Sequence, residues 1–200
     1  MIETLLWIGL GLMALGLGRV VFRRLFGGAR EMEALYDFGL GYGLLAVGMT
    51  ALGFAGGYYA GLVGALLIAL TLGLLVRFRS ELVSFAASFR LRALWPRWGG
   101  FERLCLLLAV LICARSYLGA LTPEIRHDPL DYHINFANLY TLRHGFYEIP
   151  WHVFSYMPCY VETLFTLSLL LSSDLLAKLN HYGFSVLCAA CLYGVGRRYL

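Results

Sequence analysis

Apolar stretches of about 20 residues recur along this chain and constrain its fold most, because that length crosses the ~30 Å hydrocarbon core of a bilayer. The composition agrees: 60% of the residues are hydrophobic, 14% are charged and the mean hydropathy is +0.72. An open strand cannot satisfy its backbone in lipid, so each span should be helical. The sequence therefore predicts an all-α polytopic transmembrane bundle of about six spans, at residues 4–22, 37–55, 58–76, 101–120, 156–173 and 180–198.

The N-terminal spans carry few special features. The first apolar stretch, Leu5 to Phe22, has no basic region before it and no small-residue cleavage site after it, which predicts a retained span and not a signal peptide. Spans two and three should form a hairpin, because only Gly56 and Gly57 join them. The Gly39–Gly43 spacing in span two is interpreted as close helix packing.

Arginines predict the orientation of the spans and do not suggest a nucleic-acid partner. They concentrate between spans one and two and between spans three and four, which should both be cytoplasmic, so residues 121–158 should be extracytoplasmic. Six complete spans would also put Arg197 and Arg198 outside, where arginine is under-represented. Either the fifth segment is not a full crossing or the chain continues past Leu200.

The chain divides into an N-terminal three-span region (1–78), a connector (79–100) and a core (101–200). The connector carries apolar residues at helical spacing beside arginines and closes with Trp95 and Trp98. This pattern predicts an amphipathic helix in the membrane surface, serving either as an anchor or as a lipid-binding site.

Most of the polar side chains lie in the loop 121–158. Carboxylates outnumber arginines there, so the loop is net negative in a chain of net charge +4. Acids concentrated in this way indicate either a site or a solvated surface. The ionisable residues are Glu124, Arg126, His127, Asp128, Asp131, His133, Arg143, His144, Glu148 and His152.

Two compatible interpretations apply to the acids of this loop. Asp128 followed by Pro129 is typical of a helix start, with an aspartate cap and proline at the first position, and Asp131 would complete a capping arrangement. The predicted helix lies in the interface, runs to about Arg143 and ends at Gly145. Its polar face carries Asp128 and Asp131 together, which would also suit catalysis.

Metal binding and membrane-embedded charges give further expectations. The histidine spacing does not fit an all-protein zinc site, whereas Asp128 or Asp131 with substrate phosphate could hold Mg²⁺ or Mn²⁺.

Three ionisable residues lie in or beside spans, a placement that is costly in lipid and therefore indicates function. They are Arg115, Glu162 and Lys178. Arg115 could contact an anionic lipid phosphate or extend outward to the interface.

The second half of the chain resembles bacterial glycosyltransferases of family 39, relatives of the protein O-mannosyltransferases and of the aminoarabinose transferases that modify lipid A. The resemblance covers about residues 101–200. It rests on Asp128-Pro-Leu-Asp-Tyr-His-Ile, Pro150-Trp151, Met157-Pro158 with Glu162, Ala177-Lys178-Leu179-Asn180-His181 and Gly196-Arg197-Arg198.

The resemblance implies a GT-C fold, a polyprenyl-phosphate sugar donor and an extracytoplasmic acceptor, in the inner membrane of a bacterium. It implies that Asp128 is the catalytic carboxylate, as a base or a metal ligand, and that Asp131 is a displaced second acid. The expected substrate-binding residues are Arg115, His133, His152, Glu162 and Lys178.

Two departures from the family leave other functions open. Pro129 stands where mannosyltransferases often have a second acid, and family members usually continue with more spans, so the chain is expected to be an N-terminal portion. One alternative is a non-catalytic membrane subunit or lipid-binding partner. Another is a transporter, for which ionisable residues near mid-span and paired broken helices would be expected.

Overall fold

The structure, a computed structural model, describes residues 1–27, 33–88, 99–157 and 160–199, without the side chains of residues 33, 77–88, 197 and 198. No strand occurs in these ranges, so the all-α prediction is confirmed. The helices are α1 (Ile2–Phe26), α2 (Glu33–Phe54), α3 (Ala60–Ser88), α4 (Gly100–Ala120), α5 (Ile134–Leu142), α6 (Glu162–Leu171) and α7 (Asp174–Tyr199). A π-helical segment, Pro129–His133, and a 3₁₀ turn, Val153–Tyr156, lie in the polar loop.

Four helices are long and apolar enough to cross a membrane, within the residues whose side chains are described. They are Ile2–Phe26, Ala34–Phe54, Gly100–Ala120 and Asp174–Gly196. The helical backbone of α3 is also long, but its described apolar part ends at Val76. The predicted amphipathic connector falls largely on residues 89–98, which lie outside the described ranges.

Contacts at the helix ends fix the relative directions of the long helices. The Thr4 hydroxyl lies 2.9 Å from that of Tyr117, and the rings of Trp7 and Tyr182 pack with centroids 5.8 Å apart. The first turns of α1 therefore meet the last turns of α4 and the first half of α7. Consequently α1 and α7 run in the same direction, and α4 runs opposite to both.

The predicted fifth span, 156–173, is wrong as a full crossing. Its helix α6 has 10 residues, or about 15 Å at 1.5 Å per residue, which is half of a hydrocarbon core. It pairs antiparallel with α7, where Asn180 donates to the Ser168 hydroxyl at 2.9 Å, and Ser172 ends the helix. The apolar run continues up to the polar pair Ser172 and Ser173, but the helix begins only at Glu162.

The close helix packing predicted at Gly39 and Gly43 is wrong for these two residues, because other glycines make the close contacts. A Cβ on Gly41 would overlap the backbone of Ala14, and a Cβ on Gly18 would overlap the backbone of Asp37. Nothing lies within 4 Å of a Cβ on Gly43. The two helices therefore cross at Gly18 and Gly41, where hydrogen in place of a side chain lets the backbones touch.

Replacing Gly41 by alanine should destabilise the fold by about 1–3 kcal/mol, because the new methyl group pushes α1 and α2 apart. Thermal unfolding in detergent measures the effect. Gly43→Ala is the matched control on the same helix and should leave stability unchanged or slightly raised, since alanine favours helix over glycine. Equal losses in the two variants would show that the contact at Gly41 is not what holds the helices together.

Candidate functional site

Lys178 fastens the start of the polar loop to α7. Its Nζ donates to the carbonyl oxygen of Thr122 at 2.6 Å and lies 3.5 Å from Oε2 of Glu124. The other carboxylate oxygen of Glu124 accepts from the backbone N–H groups of Ile125 and Arg126, at 3.0 and 2.9 Å. The Lys178 ammonium group is thus engaged by the protein itself, and it holds the loop where Arg126 and Asp128 follow.

The pKa of Glu124 reflects this arrangement. Burial by itself raises the pKa, but the backbone N–H groups of Arg126 and Ile125 and the charge of Lys178 together lower it below its ordinary value. A carboxyl group with a lowered folded-state pKa stabilises the fold above its unfolded-state pKa of about 4.3, and this stability is lost as the pH falls through the folded-state pKa.

Replacing Glu124 by glutamine should therefore lower the melting temperature at neutral pH. The difference from the wild type should fade as the pH falls below the unfolded-state pKa of about 4.3 and through the lowered folded-state pKa. Parallel thermal unfolding of the two proteins across this range makes the comparison. A difference that persists unchanged at the acidic end would contradict an ionic role for Glu124.

The helix predicted after Asp128 begins with a π-helical turn. The N–H of Ile134 reaches the carbonyl oxygen of Pro129, one residue further back than in an α-helix. Such turns are rare and occur often at functional sites. Asp128 stands at the N-cap with helical backbone angles and makes no side-chain capping hydrogen bond, so the capping role predicted for its carboxylate is wrong. Proline at the first position is confirmed.

Two carboxylate–histidine pairs follow along this segment. His133 Nδ1 lies 2.6 Å from Oε1 of Glu162, at the start of α6. His152 Nε2 lies 3.3 Å from Oδ2 of Asp131. A carboxylate accepts hydrogen bonds but does not donate them, so the hydrogen bond to Glu162 places a proton on Nδ1 of His133. His152 and Asp131 lie within ion-pair distance of each other. Asp131 therefore contacts His152 across the loop and does not form the predicted capping arrangement.

Asp128 faces a cavity of about 370 Å³. The other ionisable groups of its wall are Arg126, His127, His133 and His181, the last from α7. The cavity thus places one carboxylate among one permanent cation and three imidazole groups. Such a wall suits a ligand that carries both an anionic group and a hydroxyl proton to be removed.

Six of the seven predicted site residues take part in the cavity wall, in the neighbouring pair or in the contacts that hold them. Asp128 and His133 line the cavity, Glu162 holds His133, Asp131 and His152 form the neighbouring pair, and Lys178 fastens the loop. Arg115 lies on an exposed part of α4 and does not line the cavity. Within the described residues, no three histidine, cysteine, aspartate or glutamate side chains come close enough to hold a metal ion.

His181 belongs to the segments that carry the resemblance but is not among the predicted site residues. It lies on α7, three positions after Lys178, which is one helical turn and therefore nearly the same face. That spacing is the signal that could have found it.

Comparison of the chain with protein-family models, with curated proteins and with solved structures finds no match. The evidence for a function therefore comes from the residues and contacts of the chain itself.

Proposed function

We propose that this chain is a membrane glycosyltransferase of GT-C type that transfers a sugar from a polyprenyl phosphate to an acceptor hydroxyl outside the cytoplasm. The observation that carries the proposal is the cavity wall, which combines the carboxylate of Asp128 with Arg126 and three histidines. The acceptor is a lipid, a glycan or a protein, and the protein is expected in a bacterial inner membrane.

The proposed reaction uses the two kinds of group in this wall for different tasks. The Asp128 carboxylate takes the proton of the acceptor hydroxyl as its oxygen bonds to C1 of the sugar. The bond from C1 to the phosphate oxygen breaks, and its electron pair leaves with the polyprenyl phosphate. Arg126 and His133 would stabilise the charge that collects on the leaving phosphate.

Glu162 acts through His133 in this scheme and is a positioning residue. Its carboxylate accepts the Nδ1 hydrogen of His133, which orients the imidazole and fixes the ring nitrogen that carries this hydrogen. A divalent cation at Asp128 remains part of the proposal, and it would take its remaining ligands from phosphate oxygens and water.

The test uses the purified chain in vesicles with a panel of radiolabelled polyprenyl-phosphate sugars. Release of free polyprenyl phosphate with transfer of the label to an acceptor supports the proposal. Absence of release from every donor, with the chain verified as folded, would refute it.

A non-catalytic subunit is the second candidate, and the exposure of α4 favours it. Only 6% of the apolar window of α4 is buried, and its main partner is α7. This leaves most of the helix for lipid or for partner helices. Co-purification of a membrane enzyme whose activity needs the chain, together with no release of polyprenyl phosphate by the chain alone, would favour this candidate.

A further inference from the structure

A second cavity is larger than the Asp128 cavity and is lined by different residues. Its volume is about 540 Å³, within the range of about 300–1,000 Å³ common for ligand sites. Its wall comes from α2, α5, the 3₁₀ turn, the start of α6 and the segment after α5. The lining residues are Thr50, Phe54, Tyr140, Phe146, Tyr147, Ser155, Met157, Tyr160 and Thr163.

The hydroxyl groups of this wall are directed mainly to the protein backbone. Thr50 donates to the carbonyl oxygen of Ala46 at 2.8 Å, and Ser155 donates to that of Ile149 at 2.8 Å. Tyr160 and Thr163 likewise donate to backbone carbonyl oxygens. Six side chains of this wall carry a hydroxyl group, and at least four of these hydroxyls donate to backbone carbonyl oxygens. Ordered water needs two to four polar partners, so this wall suits an apolar occupant better than water.

The depth of the cavity points to the same occupant. The Tyr160 hydroxyl contacts the carbonyl oxygen of Gly43, which lies 11 residues before the end of α2 at Phe54, or about 16 Å along the helix. Because α2 is one of the helices able to cross a membrane, the floor of the cavity lies at the level of lipid chains. Its rim exposes large apolar side chains, with Phe54 80% and Met157 57% exposed. Rims of this kind face hydrocarbon more favourably than water.

We infer that this cavity binds a hydrocarbon chain of a membrane lipid. The chain comes either from a polyprenyl phosphate or from the acyl part of a phospholipid, and both sources share the apolar chemistry that the wall selects. The inference does not depend on the proposed reaction, because none of the lining residues belongs to the Asp128 cavity.

The test is photo-crosslinking of the full chain in phosphatidylethanolamine–phosphatidylglycerol vesicles. One arm carries a diazirine-bearing phosphatidylglycerol and the other a diazirine-bearing polyprenyl phosphate, with labelled peptides located by mass spectrometry. Label on residues 140–157 and 160–163 should saturate as the fraction of the probe rises. Label on the exposed face of α4 should instead rise in proportion to the fraction of the probe, since this face reports contact with bulk lipid. Saturation in the polyprenyl arm alone identifies a prenyl chain, and saturation in both arms identifies any hydrocarbon chain.

Thr50→Phe should lower the cavity label about tenfold, the effect of losing roughly 1.4 kcal/mol of binding, because the ring fills the space. Thr71→Phe is the matched control: Thr71 donates to its own helix at Leu67 in the same way, but it is on α3 and does not line the cavity. Unchanged label in a folded Thr50→Phe protein would overturn the inference. Non-saturating label at the cavity in both arms of the wild type would also overturn it, whether or not the variant folds.

Discussion

Replacing Asp128 by asparagine is expected to slow sugar transfer by about 10²–10⁴-fold, the usual contribution of a positioned general base. The carboxylate makes no capping hydrogen bond, so the stability of the fold should change by less than about 0.5 kcal/mol. The change keeps the size of the side chain and removes its negative charge, and with it the ability to take a proton or to hold a cation. Initial rates of polyprenyl phosphate release, with the melting temperature of each protein, provide the measurement.

Glu148 supplies the matched control for this experiment. It is an exposed acid of the same loop and does not line the Asp128 cavity. Glu148→Gln should therefore keep the wild-type rate. A folded Asp128→Asn protein with the wild-type rate would show that another group is the base, or that the reaction needs none.

Replacing Arg19 by leucine should destabilise the protein by about 3–5 kcal/mol, the usual cost of breaking a buried ion pair by removing one of its members. Arg19 Nη1 lies 3.5 Å from Oδ2 of Asp37, and Asp37 is fully buried between α1 and α2. Lipid around these helices cannot solvate the remaining carboxylate. Thermal unfolding in detergent measures the loss.

Two further variants separate the ion pair from other effects of the substitution. Arg24→Leu changes an exposed arginine of the same helix and should alter stability by less than about 0.5 kcal/mol. The double variant Arg19→Leu with Asp37→Leu should recover most of the loss, because an apolar pair often replaces a buried ion pair without penalty. A double variant less stable than Arg19→Leu would show that Asp37 acts through contacts other than Arg19.

The sequence predicted the spans best where length and hydropathy suffice, as in α1, α2, α4 and α7. It also predicted the approximate end of the loop helix at Gly145. The glycine is not needed there for its backbone conformation, however. His144 takes the left-handed conformation, with φ of 60°, whereas Gly145 is required because a Cβ there would lie 2.7 Å from the carbonyl oxygen of Gly53. Hydropathy reports only the preference of each residue for lipid or water. The contact between Gly145 and Gly53 joins residues far apart in the sequence, so hydropathy cannot predict it.

Tertiary contacts likewise explain the features that the sequence left unpredicted. Arg19 lies inside the first apolar stretch and was not singled out, because its partner Asp37 becomes visible only when α1 and α2 meet. The length of α6 was overestimated because an apolar run shows composition, not where the helix begins. The pairing of His133 with Glu162 joins residues 29 positions apart, a separation for which no local spacing rule exists.

The directions of the helices give a specific topology. With α6 as a half-length helix, the long helices alternate in direction from α1 to α4, and α7 runs in the direction of α1. The end of α7 therefore lies on the same side as Arg23 and Arg24 at the end of α1. By the positive-inside rule we expect that side to be the cytoplasm, which would also agree with the position of Arg197 and Arg198. The Asp128 cavity would then lie on the opposite side, where the proposed transferase needs it.

Reporter fusions in a bacterial host test this arrangement most directly. Alkaline phosphatase, which is active only outside the cytoplasm, is joined after Thr122, and a green fluorescent protein that folds only in the cytoplasm is joined after Leu200. We expect an active phosphatase in the loop fusion and a fluorescent C-terminal fusion, which places the Asp128 cavity and the end of α7 on opposite sides. An active phosphatase joined after Leu200, with no fluorescence there, would put both on one side and contradict the account.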